Sequence, residues 1–255
     1  MNVILEIWRQ EDPRAPGRLV RYPLEDVDPT WPLLDVLDRL NEELVAAGQR
    51  PVAFDSDCRE GICGACGVVV NGRPHGGRPR TTTCELTLAG ALGDDPPREP
   101  APVITLEPFR TGAFPVVCDL VVDRSALDRL IGQGGFITAR TGSATEANVV
   151  PVAKADAERA LDAAACIGCG ACVAACPNGS AALFAGAKLA HLARLPQGAP
   201  ERRRRALAVV AALDEGGFGS CGLHGECERA CPKGIRLEVV AALNREALRA
   251  RLASR

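Results

Sequence analysis

The chain has 255 residues, 24% of them charged, with a formal net charge of −2 at pH 7, so nothing in its overall charge suggests a nucleic-acid partner. It has no N-terminal apolar run ending in a small-residue cleavage site and no apolar window long enough to cross a membrane, so neither a secreted nor a membrane-spanning chain is expected. Twelve cysteines is a high count without a secretory signal, and their clustered spacing favours metal ligation over disulfides.

In chain order, Val3–Trp8 alternates well enough to be a strand, and Arg18–Tyr22 returns after a Pro/Gly turn as its hairpin partner. A helix is expected over Trp31–Ala47, with Thr30 as N-cap, Pro32 in the first turn and Gly48 as the stop; Leu33, Leu34, Leu37, Leu40 and Leu44 form its apolar face. A cysteine loop follows, Cys58-Arg59-Glu60-Gly61-Ile62-Cys63-Gly64-Ala65-Cys66. Its C-x4-C-x2-C spacing is that of plant-type [2Fe–2S] ferredoxins. Gly67–Val70 is a strand ended by an Asn71-Gly72 turn, and Cys84 is the distal fourth ligand. The seventeen residues between Cys66 and Cys84 imply an enlarged hairpin. Gly93–Pro97 is expected to be a surface loop and Val103–Leu106 a closing strand. The order of strand, strand, helix, cluster loop, strand, strand is that of a β-grasp ferredoxin domain.

Phe114–Val122 is an apolar strand carrying Cys118, Asp123–Ile131 is helical, and the Gly- and Thr-rich Gly132–Val149 is a linker. The second half reads as helices over Lys154–Ala165, Ala181–Leu195, Glu201–Leu213 and Arg236–Leu252, alternating with cysteine loops. The first of these loops is Cys166-x2-Cys169-x2-Cys172-x3-Cys176-Pro177. This spacing holds iron–sulfur clusters in bacterial ferredoxins, where the fourth Cys serves the other cluster of a pair. The second run is Cys221, Cys227 and Cys231-Pro232. Laying the first spacing on the second run puts His224 where a thiolate would hold a fourth iron. Either that corner stays empty, or the imidazole binds iron, or it donates a hydrogen bond to a cluster sulfide. The expected fold is α+β, with a β-grasp [2Fe–2S] domain over residues 1–135 and an α-helical, bacterial-ferredoxin-type domain over 136–255. A structural zinc module is the alternative for the cysteine runs.

This order of cysteine motifs resembles the iron–sulfur subunit of succinate:quinone oxidoreductases, the succinate dehydrogenases and fumarate reductases. Phe54-Asp55-Ser56-Asp57 with the loop from Cys58 to Gly64 is similar to the family's first motif, and Phe114–Val117 with Asp119–Asp123 to its inter-domain segment. The resemblance implies a [2Fe–2S] cluster on Cys58, Cys63, Cys66 and Cys84, a [4Fe–4S] cluster on Cys166, Cys169, Cys172 and Cys231, and a [3Fe–4S] cluster on Cys176, Cys221 and Cys227. Cys118 is left without a role. The implied partners are an FAD-bearing flavoprotein and a membrane anchor that holds this chain peripherally at the cytoplasmic face, with quinone as the last acceptor or first donor. Many members carry tryptophans shortly after the first Cys-Pro, whereas here Asn178-Gly179-Ser180-Ala181 follows. That stretch resembles the branch with a single di-haem anchor and menaquinone. A rival within the class is an iron–sulfur subunit serving another flavoprotein, such as a thiol-driven fumarate reductase or a glycolate-oxidising system.

Other residues carry weaker expectations. Arg202–Arg205 is either a solvated helix face or a surface for anionic headgroups. His75 is expected at a surface turn, and His191, Trp8 and Trp31 in packing. Arg59 and Glu60 either meet the flavoprotein or bond within the loop. No Gly-rich dinucleotide fingerprint and no His-based acid–base set is present, so substrate chemistry is not expected on this chain alone.

Overall fold

The computed structural model describes residues 1–93, 100–137, 146, 148, 152–195 and 198–253. Most of the expected loop at 93–97 and much of the expected linker lie outside the described residues.

The first strands are β1 (Val3–Arg9) and β2 (Arg18–Leu24), antiparallel from Val3 opposite Leu24 to Arg9 opposite Arg18. Val3, Leu5 and Ile7 are buried, which is the inward half of the alternation. Helix α1 (Leu33–Ala46) covers the sheet with Leu33, Leu34, Leu37, Leu40 and Leu44, joined by Val36. Thr30 is not its cap. The Thr30 N–H and hydroxyl both bond Asp28 Oδ1, at 2.8 and 2.7 Å, and Pro32 takes the N-cap position. The freed Leu33 N–H instead donates to the Leu86 carbonyl, 2.7 Å away, so the helix start is capped by tertiary structure.

Strands β3 (Val68–Val70) and β4 (Arg73–Pro74) form a hairpin through Asn71 and Gly72, both at positive φ as a type I′ turn requires. This hairpin is tight rather than enlarged; the surplus residues before Cys84 form a separate 3-10 turn at His75–Gly77 and a further turn at Pro79-Arg80. Helix α2 (Leu88–Leu92), which the sequence reading missed, starts with the Thr87 hydroxyl accepting the Gly90 N–H. Strand β5 (Val103–Pro108) closes the sheet, parallel to β1 and antiparallel to β3, giving the order β2-β1-β5-β3-β4.

The expected single strand over Phe114–Val122 is two short ones, β6 (Val116–Cys118) and β7 (Val121–Val122), paired as a hairpin. The cause is Asp119, at φ +43° and fully buried. Its carboxylate accepts the Gln10 N–H (2.9 Å), the Ala53 N–H (3.0 Å), Arg9 Nε (3.2 Å) and Arg50 Nη2 (2.7 Å). A buried carboxylate needs such a set of donors, and here they tie the end of β1, the approach to the first cysteine loop and the hairpin together.

Helix α3 (Ser125–Gly134) packs on the helical half, which comprises α4 (Lys154–Ala164), α5 (Ala171–Ala175), α6 (Ala182–Ala193), α7 (Ala199–Glu215), α8 (Glu226–Arg229) and α9 (Glu238–Ala253). Helix α6 is buried nearly all round, as its run of Ala and Leu demands. At Gly186 a Cβ would lie 2.7 Å from the Val239 carbonyl oxygen, so α6 and α9 cross with almost no side chain between them. Arg202 and Arg205 are not free surface charges: Arg202 grips Glu246 of α9 through two hydrogen bonds, and Arg205 is buried on the Phe136 carbonyl and Glu201. Arg203 and Arg204 do face solvent. Phe109 and Phe114 from the sheet side share one apolar core with Leu127, Val173 and Phe184, which joins the two halves.

Candidate iron–sulfur centres

The first loop winds around the Cys58 sulfur. The Glu60, Ile62 and Cys63 N–H groups all donate to it at 3.4 Å, and the Ala65 N–H donates to the Cys63 sulfur at 3.4 Å. These donors, the Glu60 N–H foremost, pull the Cys58 thiol down to about 7 from its usual value near 9. Arg59, at φ +54°, reaches back to α1 and pairs with Asp35 (2.7 Å) and Asp38 (2.6 Å), so it anchors the loop within its own domain. Cys66 and Cys84 are buried side by side, and burial pushes the Cys66 thiol up to about 12. The Thr82 hydroxyl lies 3.1 Å from the Cys84 sulfur.

Cys166, Cys169, Cys172 and Cys231 line one cavity, with Gly168, Leu183 and Phe184 among its walls. Burial is the leading influence on the first three of these thiols and raises them all, Cys169 to about 12. The Ile235 N–H donates to the Cys231 sulfur at 3.3 Å, and Lys188 Nζ holds the Cys166 carbonyl at 3.2 Å. A second cavity is lined by Cys176, Cys221, Cys227 and His224, with Leu183 again in its wall. Leu183 is thus the partition between the two. Cys118 lines neither; it is half-buried on β6 rather than a core residue.

A buried thiolate is stable only beside compensating positive charge, which bound iron supplies. N–H donors aimed at sulfur are also what a cluster's thiolates use. Among the described residues no three His, Cys, Asp or Glu are disposed to hold a single metal ion. The thiols of the second and third sets ring cavities, an arrangement that suits a polynuclear cluster.

The three thiol sets lie in series. Gly64 of the first loop packs directly on the second: a Cβ there would sit 2.5 Å from the Ile167 carbonyl oxygen and 3.1 Å from the Cys169 nitrogen, and φ is +75°. The second and third sets share Leu183. The two ends of the series open to the surface, with Cys63 and Ile62 exposed on one loop and Cys221, Leu223 and His224 on the other.

His75 does not lie at a surface turn, as its sequence suggests, but is buried. It is 1% exposed, its Nδ1 accepts the Thr83 N–H (3.1 Å) and lies 2.8 Å from the Thr83 hydroxyl, and its ring meets Phe109 edge-on. Burial, and then the charge of Arg124, drive its pKa down to about 4, so it is neutral near pH 7. His191 is half-buried on α6, in keeping with packing. Trp8 is sandwiched by the Arg110 guanidinium, 3.9 Å above its ring, while Trp31 is 38% exposed.

A mixed sheet carrying one thiol loop, followed by helices enclosing two more thiol sets, defines an iron–sulfur protein with two ferredoxin-type domains. A family described as "2Fe-2S iron-sulfur cluster binding domain" matches residues 4–129, and one described as "4Fe-4S dicluster domain" matches residues 162–235. The succinate dehydrogenase iron-sulfur subunit of Bacillus subtilis is 34% identical over 240 residues, covering 88% of this chain and 86% of that one. The fumarate reductase iron-sulfur subunit of Mycobacterium tuberculosis is 33% identical over 214 residues, covering 80% and 76%. In fold, the chain matches one in the structure of the Mycobacterium smegmatis Sdh1 complex in the apo form, with a TM-score of 0.68 over 97% of this chain and 96% of that one at 24% identity. The chain belongs to the family of succinate dehydrogenase and fumarate reductase iron–sulfur subunits.

Proposed function

We propose that this chain is the electron-transfer subunit of a membrane-bound succinate:quinone oxidoreductase. The observation that carries the reading is the series of three thiol sets, buried in the middle and open at both ends. When bound, the clusters supply one-electron chemistry between a two-electron flavin and a quinone. Cys58, Cys63, Cys66 and Cys84 would hold [2Fe–2S], within a β-grasp domain over residues 1–135. Cys166, Cys169, Cys172 and Cys231 would hold [4Fe–4S], and Cys176, Cys221 and Cys227 would hold [3Fe–4S], within a helical domain over residues 136–255.

The residues around these thiols have three tasks. The Glu60, Ile62, Cys63 and Ala65 amides orient and stabilise the first set. Leu183, Phe184 and Ile235 keep water from the second. The exposed Ile62 and Leu223 give each end an apolar contact for a docking partner, the FAD-bearing flavoprotein at the first and the anchor with its quinone at the second. No helix among the described residues is long and apolar enough to cross a membrane, so attachment at the cytoplasmic face would come from the anchor. A di-haem anchor and menaquinone are the finer reading, motivated by Asn178-Gly179-Ser180-Ala181 after the first Cys-Pro.

The test is anaerobic purification with iron, sulfide and EPR analysis. Three distinct centres are expected, with succinate-dependent dye reduction only in preparations that retain a flavoprotein. Zinc in place of iron and sulfide would overturn the reading, as would dicarboxylate turnover by the isolated, cluster-replete chain.

A further inference from the structure

We propose that Arg124 is a positioning residue that fixes the first cysteine loop against the second and supplies the positive charge between them. The proposal rests on the three-centre reading above. Arg124 stands between β7 and α3, and its Nη1 donates to two backbone carbonyls: that of Gly64 and, at 3.1 Å, that of Cys169. One carbonyl belongs to the loop of Cys63 and Cys66, the other to the loop of Cys166, Cys169 and Cys172. Those loops are about a hundred residues apart in sequence and touch backbone to backbone at Gly64, where no side chain fits. A direct contact of this kind has no side-chain interlock to define its register. The guanidinium supplies one, because the two N–H groups of Nη1 hold both carbonyls at once.

The stem of Arg124 is fixed as well. A Cβ at Gly170 would meet the Phe114 ring at 2.9 Å and the Arg124 Cδ at 3.7 Å, so the side chain runs past a bare stretch of the second loop. Among the described residues no carboxylate pairs with Arg124, so its charge is left to act on its surroundings. Its charge already reaches the buried His75, whose pKa it depresses. A positive charge beside a centre stabilises the reduced, more negative form, so Arg124 raises the potentials of the first two centres and leaves the more distant third alone. An ordinary hydrogen bond between domains would affect stability without selecting which potentials move.

The experiment uses the complex, with Arg124→Met (stem kept, charge and donors lost) and Arg124→Lys (charge and N–H donors kept). Iron, sulfide and the three EPR signatures of the unaltered complex are recorded first. If these are missing, the three-centre reading fails, and the proposal with it. With them present, redox titration should show lower potentials for the first two centres in Arg124→Met, recovery of both in Arg124→Lys, and no change in the third. The magnetic interaction between the first two reduced centres should weaken in Arg124→Met, which holds neither carbonyl, and recover at least in part in Arg124→Lys, whose ammonium carries three donors. Unchanged potentials and an unchanged interaction in fully loaded variants would overturn the role of Arg124 alone. If Arg124→Met fails to load its clusters, Arg124→Gln (neutral, one N–H2 donor group kept) decides: lower potentials for the first two centres alone support the proposal, and unchanged potentials in fully loaded protein refute it.

Discussion

Replacing Asp119 by alanine removes the acceptor on which three segments converge. The carboxylate is fully buried, and the two backbone N–H groups it satisfies, those of Gln10 and Ala53, are part-buried. The Arg9 side chain is 11% exposed and loses its ion-pair partner, whereas Arg50, at 45%, can turn to water and contributes little. Removing one partner of a buried ion pair costs about 3–5 kcal/mol, and an orphaned buried donor about 1–3 kcal/mol. These losses overlap, so the expected cost is about 4 kcal/mol for Asp119→Ala and roughly half that for Asp119→Asn, which keeps one acceptor oxygen. A two-domain protein with cofactors has no single unfolding free energy. The measurement is therefore native-state hydrogen exchange of β1 and β5 amides in cluster-loaded protein, with loss of the first centre's EPR signal in urea as a second readout. The effect should be confined to the sheet and the first cysteine loop, with α6 and α9 amides exchanging as before. If β1 and β5 protection changes by less than about 1 kcal/mol in Asp119→Ala, the donor set is not what secures these segments.

Three other perturbations follow from the site. His224→Cys completes the second run, so the EPR signal of the oxidised three-iron centre should vanish as a fourth iron binds; a retained signal with unchanged iron content would refute the empty-corner reading. Cys118→Ala should leave all three centres intact and cost no more than about 1 kcal/mol, because the residue is only half-buried; loss of any centre would make it a ligand. His75 is neutral when folded, with a pKa of about 4 against 6.5 for an exposed ring, so the unfolded chain binds the extra proton between those values. Stability should be flat above pH 6.5 and fall by up to about 1.4 kcal/mol per unit below it, a slope seen in β5 exchange that His75→Gln removes.

The cysteine runs were legible in the sequence because ligand spacing is itself chemistry: a chain that must wrap a cluster can do so only at certain steps. The sheet and the long helices were legible from their periodicity. The misreadings share a cause, which is tertiary contact from residues remote in sequence. Pro74-His75-Gly76-Gly77 has the composition of an exposed turn, yet Phe109 from the end of β5 lies against the ring and Thr83 occupies its nitrogen. Thr30 looks like a cap until Asp28 takes its hydroxyl and Leu86 takes the helix's first free amide. Asp119 did leave a trace. A single carboxylate inside Val-Val-Cys-Asp-Leu-Val-Val must either point to water or find donors, and a left-handed turn is a place where Asp is tolerated.

The arginine run on α7 shows why a charge count alone misleads. Positions 202 and 205 are three apart and share a helix face, and that face meets Glu246 of α9 and the Phe136 carbonyl at the end of α3. Positions 203 and 204 point away. Half of the run is therefore structural, joining α7 to the stretch just after α3 and to the last helix. Only the other half is open to a partner. The same division holds along the thiol series: Cys169 is buried and Cys172 half-buried, while Cys63 and Cys221 are exposed. In a protein that passes electrons between two others, only the first and last stations need to meet a partner. The middle gains from exclusion of water, which fixes its surroundings and hence its potential.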